Sequence, residues 1–514
     1  MTEASAGAIS KRTRKIEIVL PLLLAVCLLR LFVRIISWPL IGDASLLHYT
    51  VYLISYGKAP YRELQEINMP GAYFVDWAVM RTLGTGAVAW HVFDISLILS
   101  TFVTTLIITL PYDWFAGVFA SSLFGMIHAR DGITQSGQRD LTIAALMLLS
   151  YALVFLALRS GRRLPVFCSG VLASFAILMK PVAIPVAIGT LVMSLWELRK
   201  RHAPIKAHLI LWGAGGLIPL SIMVAWLVRW HSTRAFVDML QHSVRFHASL
   251  GHLGYGTLVA HLTSQTLLLI LGALVLVPVS LKLFKNWEHS ALLVGSLTGA
   301  FCYLVQGKGY SSQRYPFEIF TLLLVALVLT NALQKAGWPR AVAALTILYG
   351  CFVLAPVSTA KALAYNGAQN DFGKMLQQDL SSLGGSALDG KIQCLDTFAG
   401  CLRVLYEMRL VQSTGLMYNK FLFNPDKNGV VAASRERFLN QIRQKPPSVF
   451  VVTDQVYPNG HPNLDKTLKW PLLAEELRKN YVVFAERHPT QMQVWEGKPL
   501  LPSAYRIYVH KVHK

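Results

Sequence analysis

The chain has 514 residues, of which 54% are hydrophobic and only 15% are charged. Its mean hydropathy of +0.45 is too high for a soluble protein of this length, and many apolar runs reach the roughly 18 to 20 residues that cross a bilayer. The net charge of +21 would suit nucleic acid, but Lys and Arg occur in short clusters between apolar runs, which is a signal of membrane topology. These features exclude soluble classes and predict a polytopic α-helical membrane protein with no nucleic-acid partner.

The first apolar run, residues 16–40, follows a basic cluster at residues 11–15. It is long for the apolar part of a signal peptide and lacks a small-residue cleavage site, so we expect a retained span. Placing the basic clusters in the cytoplasm predicts about eleven spans. Their approximate limits are residues 16–37, 86–109, 114–129, 140–158, 164–179, 182–197, 206–228, 256–281, 290–305, 316–333 and 340–357.

The odd number of spans places the N-terminus in the cytoplasm and the C-terminal tail outside. Residues 70–84 are apolar but form a run of only about 15 residues that contains Asp76 and Arg81, so we expect a helix lying on the outer face. The segments left on the outer face are residues 38–85, 130–139, 229–255 and 306–315.

The tail differs from the rest of the chain in composition. We divide the chain into a transmembrane domain, residues 1–357, with outer loops and juxtamembrane helices, and a periplasmic α/β domain, residues 358–514. Cys394 and Cys401 could form a disulfide in an oxidising periplasm, and two unpaired thiols are an equally good interpretation. The α/β prediction depends on the strand-like runs KIQCLDT, SVFVVTD, YVVFAER and AYRIYVH, and on helical patterns at residues 400–411, 432–444 and 471–479.

The first outer segment carries an acid followed by two cations, Lys58 and Arg62. Apolar residues recur at helical spacing after Asp43, which predicts an amphipathic helix in the plane of the membrane interface. Asp43 is either the N-cap of this helix or a general base, because a carboxylate near apolar surface can have the raised pKa that a base needs.

The second outer segment places Asp131, Arg139 and Asp140 at the mouth of the fourth span. These groups either pair with neighbours, with Asp140 capping the span, or belong to a site. Lys180 at the outer end of the sixth span either snorkels to the interface or joins them. Arg30 lies deeper in the first span, so we expect it to face protein or a polar cavity.

The later outer segments contain further polar groups. In the fourth, Lys308 and Arg314 flank hydroxyl and amide donors, and such a set suits a phosphate, although a solvated loop would look the same. The third lacks a close His pair with an adjoining carboxylate, so we predict no metal site. Its histidines are His231, His242, His247 and His252.

Several motifs occur in a characteristic order: an acid after the first span, NMPGAYFVDWAVMRTLG, GQRDLTIAALML at the start of a span, LMKP and QGKGYSSQRYP. Over roughly residues 16–357 the chain thereby resembles the GT-C superfamily of integral-membrane glycosyltransferases, in particular the protein-mannosyl and aminoarabinose transferase group. The resemblance implies transfer of a sugar from a polyprenyl-phosphate carrier to an acceptor hydroxyl on the outer face, with inversion and without a metal or other cofactor.

By this resemblance, Asp43 and Asp140 match the acids of the first and second outer loops, and Asp43 would act as the general base or position the acceptor. The family often has two adjacent acids in the first loop, whereas Ala44 follows Asp43 here, which favours the metal-independent branch that uses lipid-monophosphate sugars. The predicted ligands of the donor phosphate are Lys308 and Arg314, with Arg62 or Lys58 replacing a family lysine that is missing from the NMPG motif. Candidates for lining the cavity are Arg30, Arg139, Lys180 and His247.

Two other functions fit a polytopic protein. A lipid or polysaccharide transporter or flippase would need ionisable groups through the membrane depth, whereas here they gather at the outer rim. A polysaccharide ligase would have a long outer loop between late spans, whereas the soluble mass here is C-terminal. We therefore expect an enzyme of the bacterial inner (plasma) membrane whose partners are membrane lipids, a polyprenyl-phosphate sugar and a glycan, lipid or protein acceptor.

Overall fold

The computed structural model describes residues 3–364, 371–396, 400–426, 428–458, 461–489, 494–495, 498–499 and 502–511. Its first 17 helices are α1 (Glu3–Ile36), α2 (Asp43–Ser55), α3 (Pro70–Thr82), α4 (Ala87–Thr109), α5 (Trp114–Asp131), α6 (Arg139–Ser160), α7 (Leu164–Met179), α8 (Ile184–Lys200), α9 (Ile205–Arg229), α10 (Thr233–Asp238), α11 (Val244–Ala248), α12 (Tyr255–Thr263), α13 (Leu267–Ser280), α14 (Trp287–Gln306), α15 (Tyr315–Leu333), α16 (Trp338–Tyr349) and α17 (Ala355–Ala364).

The tail contains five further helices and six strands. In chain order they are α18 (Phe372–Ser382), β1 (Ile392–Leu395), α19 (Cys401–Glu407), α20 (Lys420–Phe423), α21 (Val430–Gln444), β2 (Val449–Thr453), α22 (Pro471–Asn480), β3 (Tyr481–Arg487), β4 (Val494–Trp495), β5 (Lys498–Pro499) and β6 (Tyr505–His510). The four predicted strands correspond to β1, β2, β3 and β6, and the three predicted helical patterns overlap α19, α21 and α22.

Every predicted span coincides with helical structure, which confirms a polytopic helical fold. Span eight is divided into α12 and α13, and span eleven consists of α16 and α17 joined by a π-helical turn. The helix α7 is apolar but short for a span. By length and composition, the stretches of the described chain that can cross a membrane are Val19–Ile36, Ala87–Thr109, Arg139–Ser160, Pro181–Lys200, Ile205–Arg229, Leu267–Lys285, Ser311–Leu333 and Trp338–Ala364.

The helix α14, predicted as span nine, is missing from that set, and so is the central helix α5, predicted as span three. Helix α5 packs against α1, α4, α15 and α17 and is buried along nearly its whole length. A helix that contacts protein rather than lipid can carry polar residues, because their partners lie on neighbouring helices. In α5 these include Ser121, Ser122 and His128.

The described chain forms two compact units. The first contains Met1–Trp38, Ala87–Ile222 and Leu253–Asn366, and the second contains Pro39–Gly86, Met223–His252 and Gly367–Lys514. Two of the outer segments thus group with the tail. A division into domains at residue 357 stays a prediction.

The second unit is built around a four-stranded sheet with the order β1-β2-β6-β3. The strands β1 and β2 are parallel, whereas β6 is antiparallel to both β2 and β3. The helices α21 and α22 cover one face with apolar side chains, including Phe438, Leu473 and Leu477, against Phe450 of β2. Cys394 of β1 and Cys401 of α19 form a disulfide, which decides between the two interpretations left open by the sequence.

The helix α2 is buried around its circumference within the second unit, from Ala44 to Leu53. Because α2 is buried on all sides, it has no apolar face left for lipid, and its place in the interface plane stays a prediction. Its polar side chains are satisfied by the tail: the Tyr49 hydroxyl donates to the carbonyl of Leu410 at 3.1 Å and accepts from the amide of Gln412 at 2.9 Å. The Tyr52 hydroxyl donates to the carbonyl of Arg409 at 2.7 Å.

Candidate active site

The loop that carries Lys308 begins directly after α14. Gly307 ends this helix with a φ of 65° and Gly309 has a φ of 70°, a backbone conformation that residues with a side chain rarely adopt. The Gly307 carbonyl accepts a hydrogen bond of 2.9 Å from the Leu253 amide, and a Cβ atom at residue 309 would lie 2.5 Å from the Leu253 side chain. In this closely packed loop Lys308 is only 8% exposed, and burial lowers the pKa of its ammonium to about 8.

Arg314 lies in a 3-10 turn, Ser311–Arg314, that leads into α15. Its Nη2 donates a hydrogen bond of 2.6 Å to Asp131 Oδ1, and its Nε lies 2.7 Å from Glu318 Oε1. Gln265 Nε2 donates to the same oxygen of Asp131 at 2.7 Å. All three charged side chains are buried, so the guanidinium balances two carboxylates that would be costly to leave unpaired.

The first unit contains a second buried polar cluster that was not predicted from the sequence. His128 Nε2 lies 3.0 Å from Asp94 Oδ1, and His128 Nδ1 lies 3.0 Å from the Tyr315 hydroxyl. The Gly137 amide donates to Asp94 Oδ1 at 2.6 Å. The sequence did contain a signal for this cluster: Asp94 and His128 each lie inside an apolar run. Ionisable residues are rare in spans and usually face a polar interior.

Asp140 is the second residue of α6 and is buried. Because α6 begins at Arg139 and its N-cap is Gln138, the capping alternative for Asp140 is wrong. Both oxygens of Asp140 accept hydrogen bonds of 3.1 Å from Lys180 Nζ. The structure thus joins two of the predicted site residues in one ion pair, and the neighbouring Arg139 is half-buried.

Arg30 is exposed on α1, whereas Leu24, Leu28 and Leu31 of the same helix are buried. The expectation that Arg30 faces the protein interior is therefore wrong. An exposed Arg on a spanning helix can extend its guanidinium toward the interface, since its apolar stem tolerates lipid. A place for Arg30 in a polar cavity stays a prediction.

In the second unit, Asp43 is the first residue of α2 and is half-buried. The N-cap position belongs to Gly42, which has a φ of 67°, so the capping alternative is wrong for Asp43 as well. His48, one turn further along α2, places its Nδ1 2.7 Å from Asp76 Oδ1 of α3, and both side chains are buried. Asp43 therefore stands at the end of a helix whose position is fixed by a neighbouring helix.

The two cations after α2 differ in their surroundings. Arg62 is exposed, and its Nη2 lies 3.7 Å from Glu63 Oε2, an oxygen that also accepts from the Ala59 amide at 2.7 Å. Lys58 is half-buried, and its side chain makes no hydrogen bond or ion pair with the described residues. Lys58 is therefore the less compensated of the two positive charges.

His247 lies in a cluster with Lys420, a buried residue of the tail. Lys420 Nζ is 3.1 Å from His247 Nδ1 and 3.9 Å from the centre of the Tyr418 ring. Because an ammonium can only donate, Nδ1 of His247 is the acceptor when Lys420 is charged. The His247 ring stacks on Tyr457 with 5.6 Å between centroids.

The other histidines of the third outer segment do not gather into a site. His242 pairs with Asp238 at 3.0 Å on an exposed surface. In the described part of the chain, no group of three or more His, Cys, Asp or Glu side chains is arranged to hold a metal ion.

Comparison with solved structures defines the class of fold. Over 98% of both chains, the structure matches ArnT from Cupriavidus metallidurans in the apo state with a TM-score of 0.58 and 12% sequence identity. ArnT bound to undecaprenyl phosphate matches over 95% of this chain and 97% of that chain, with a TM-score of 0.54 and 12% identity. The oligosaccharyltransferase of Archaeoglobus fulgidus in the apo form has 10% identity and a TM-score of 0.49 over 85% of this chain and 69% of that chain.

The chain therefore shares the fold of ArnT, in agreement with the fold that the resemblance to the GT-C superfamily predicted. The fold is shared with ArnT over nearly the whole length of both chains. No protein-family model and no curated protein sequence matches the chain. At 12% identity the likeness to ArnT defines the fold and leaves the reaction to be argued from the residues.

Proposed function

We propose that the chain is a membrane glycosyltransferase that moves a sugar from a polyprenyl-phosphate carrier to an acceptor hydroxyl on the outer face of the membrane. The observation that carries this proposal is the match with ArnT across 98% of both chains, since it includes the helical bundle and the soluble part together. ArnT has a structure with undecaprenyl phosphate bound, which supports a polyprenyl phosphate as the carrier here.

The proposed base is Asp43. Its carboxylate accepts the proton of the acceptor hydroxyl while that oxygen attacks the anomeric carbon of the sugar. The bond between the anomeric carbon and the phosphate oxygen breaks with inversion, and polyprenyl phosphate leaves with one additional negative charge. The first turn of a buried helix is a suitable place for this base, because catalysis depends on holding the reacting groups in a fixed geometry.

The proposed ligand of the departing phosphate is Lys308, and the same role for the exposed Arg62 stays a prediction from the sequence. Burial opposes the charge of Lys308, so a phosphate oxygen would relieve a cost already present in the protein. Arg314 was predicted for the same role, but its pairs with Asp131 and Glu318 favour a different one, in which it fixes the turn that follows the Lys308 loop. Asp140, paired with Lys180, is proposed to act as a positioning residue.

We further propose a bacterial inner membrane location with a cytoplasmic N-terminus and a periplasmic tail. The disulfide between Cys394 and Cys401 supports this orientation, because disulfides persist in oxidising compartments and are rare in the cytoplasm.

The test is to incubate purified protein with a panel of radiolabelled polyprenyl-phosphate sugars and with glycan, lipid and protein acceptors. We expect one donor to lose its sugar, and Asp43→Asn to abolish most of that loss. A flippase would instead move labelled lipid between the leaflets of a liposome without cleaving it. Intact donors throughout the panel, together with such movement, would replace the proposed function by transport.

A further inference from the structure

Within the second unit, a cavity of about 190 Å³ is formed by residues 53–64 together with residues 412–445. Its floor consists of buried side chains: Leu53, Leu64, Gln412 and Thr414. Its accessible rim consists of longer polar side chains: Lys58, Gln441, Gln444 and Lys445. The cavity is smaller than the pockets of roughly 300 to 1,000 Å³ that hold drug-sized ligands, and it suits a ligand unit of the size of one sugar ring.

The polar groups of the floor already have partners inside the protein. Gln412 Nε2 donates to the Leu416 carbonyl at 2.6 Å, and its Oε1 accepts from Gln393 Nε2 at 3.2 Å. The Thr414 hydroxyl donates to Gln393 Oε1 at 2.7 Å. The floor is therefore preorganised, and the side chains that remain for a ligand are those of the rim.

The rim carries two ammonium groups whose charges are not paired within the described residues, those of Lys58 and Lys445. The carboxylate that lines the cavity belongs to Glu63, and it is already bound by the Ala59 amide and lies beside the guanidinium of Arg62. The C-terminal end of α21 adds roughly half a negative charge, which two ammonium groups outweigh. The cavity therefore favours an anion.

The remaining rim groups indicate what the anion is attached to. The carboxamides of Gln441 and Gln444 can each donate and accept hydrogen bonds, as sugar hydroxyls require. Of the residues that line the cavity, only Leu53 and Leu64 have apolar side chains. This apolar surface is too small to hold a polyprenyl chain. This composition separates the cavity from a binding site for the donor lipid, the role that the sequence predicted for Lys58.

We propose that this cavity binds an anionic sugar unit of the acceptor, with a carboxylate or phosphate between Lys58 and Lys445 and hydroxyls on Gln441 and Gln444. The inference rests on the proposed function, since it names the class of acceptor that the transferase uses. An acceptor held in this way is a negatively charged glycan rather than a neutral one.

The first test is direct binding to the full-length protein in detergent without any donor lipid, measured by saturation-transfer NMR. The probes are glucuronate, glucose 6-phosphate, glucose and inorganic phosphate. We expect at least one anionic sugar to bind at least tenfold more tightly than glucose and than inorganic phosphate. Whichever of glucuronate and glucose 6-phosphate binds more tightly identifies the anionic group as a carboxylate or a phosphate. Equal binding of glucose, or of inorganic phosphate alone, would overturn the inference.

Matched variants locate that binding. The pair Lys58→Gln and Lys445→Gln should weaken the anionic sugar at least tenfold, whereas Lys58→Arg with Lys445→Arg keeps both charges and should retain it. Lys374→Gln, which removes an exposed charge from α18, serves as the control. If the variant with Lys58→Gln and Lys445→Gln binds the anionic sugar as tightly as the wild type, the anion binds outside this cavity and the inference is wrong.

Kinetics then separate this inference from the proposed function. In the Gln pair, we expect the acceptor KM to rise while the donor KM stays constant. A raised donor KM would return Lys58 to the donor phosphate and overturn the inference, with the transferase function intact. Specific binding of an anionic sugar by a protein that cleaves none of the donors would instead contradict the proposed function while leaving the binding result in place.

Discussion

Lys308 and Arg314 stand six residues apart but have opposite electrostatic surroundings. Arg314 is neutralised by two buried carboxylates, Asp131 and Glu318, so little of its attraction is left for a ligand. The charge of Lys308 is opposed by burial, which lowers its pKa to about 8. A dianionic phosphate would therefore favour the charged form of Lys308, which burial opposes, whereas the charge of Arg314 is already balanced by Asp131 and Glu318.

The pKa of Lys308 predicts how donor use depends on pH. Below about pH 8 the ammonium is charged, and above it the amine is mostly neutral and cannot balance a phosphate. We expect the donor KM of the wild type to rise between about pH 7.5 and 9, as measured in steady-state assays. Lys308→Arg should remove this rise, because the guanidinium stays charged. An equal rise in the Arg variant would mean that another group titrates.

Asp43→Asn should leave the fold intact and lower the rate of sugar transfer by about 10² to 10⁴-fold, as expected for loss of a general base. The measurement is kcat with saturating donor and acceptor, together with the melting temperature in detergent. Asp371→Asn, an exposed carboxylate of the tail, is the matched control and should transfer at the wild-type rate. Activity of Asp43→Asn within a few-fold of wild type would exclude Asp43 as the base.

At the scale of the elements, apolar runs separated by basic clusters were sufficient to locate the helices predicted as spans. All predicted spans and tail strands coincide with observed elements, because long apolar runs and short runs rich in β-branched and aromatic residues leave a local signal. The surroundings of α2 were not predictable in this way, since the tail residues that cover it lie more than 350 positions away in the chain. The amphipathic spacing of a helix does not show whether lipid or a distant protein segment covers its apolar residues.

Parts of the candidate site left a local signal that can be recognised afterwards. Arg314 and Glu318 are four residues apart, the spacing of an ion pair on a helix, although one of them precedes the regular part of α15. The partnership of Asp140 with Lys180 joins residues forty positions apart, and no spacing rule predicts it. The sequence therefore identifies ionisable residues in apolar surroundings, but their partners require the fold.

The ion pairs of Arg314 connect α5 to the start of α15, so removal of the cation should destabilise the first unit. Arg314→Met leaves Asp131 and Glu318 buried without their counter-charge. We expect the free energy of unfolding to fall by about 3 to 5 kcal/mol. The measurement is thermal unfolding in detergent, followed by tryptophan fluorescence.

The compensated variant makes this prediction specific. Adding Asp131→Asn and Glu318→Gln to Arg314→Met removes the unpaired charges and should recover most of the lost stability. A phosphate ligand would behave in the opposite way. If Arg314→Met unfolds like the wild type but has a raised donor KM, the sequence-based role of Arg314 is correct and our structural assignment is wrong.

At the scale of the whole molecule, the orientation of the chain in the membrane determines on which side the donor can be used. A carrier-linked sugar used outside the cytoplasm needs Asp43 and the tail on that side, because a carboxylate on the other face cannot reach the acceptor. Two independent physical arguments agree on the same orientation: the basic clusters between spans and the disulfide in the tail.

This orientation is tested by cysteine accessibility. Ser386→Cys in the tail and Ser160→Cys at the end of α6 are both at exposed positions, predicted to lie outside and in the cytoplasm respectively. A membrane-impermeant thiol reagent should label Ser386→Cys in intact cells whose outer barrier is permeable, and Ser160→Cys only after lysis. The unsubstituted chain is the control, since its tail thiols are closed in a disulfide and its other four cysteines lie within helices. Protection of Ser386→Cys until lysis would place the tail in the cytoplasm, make the number of spans even, and remove Asp43 from the side on which a lipid-linked donor is proposed to react.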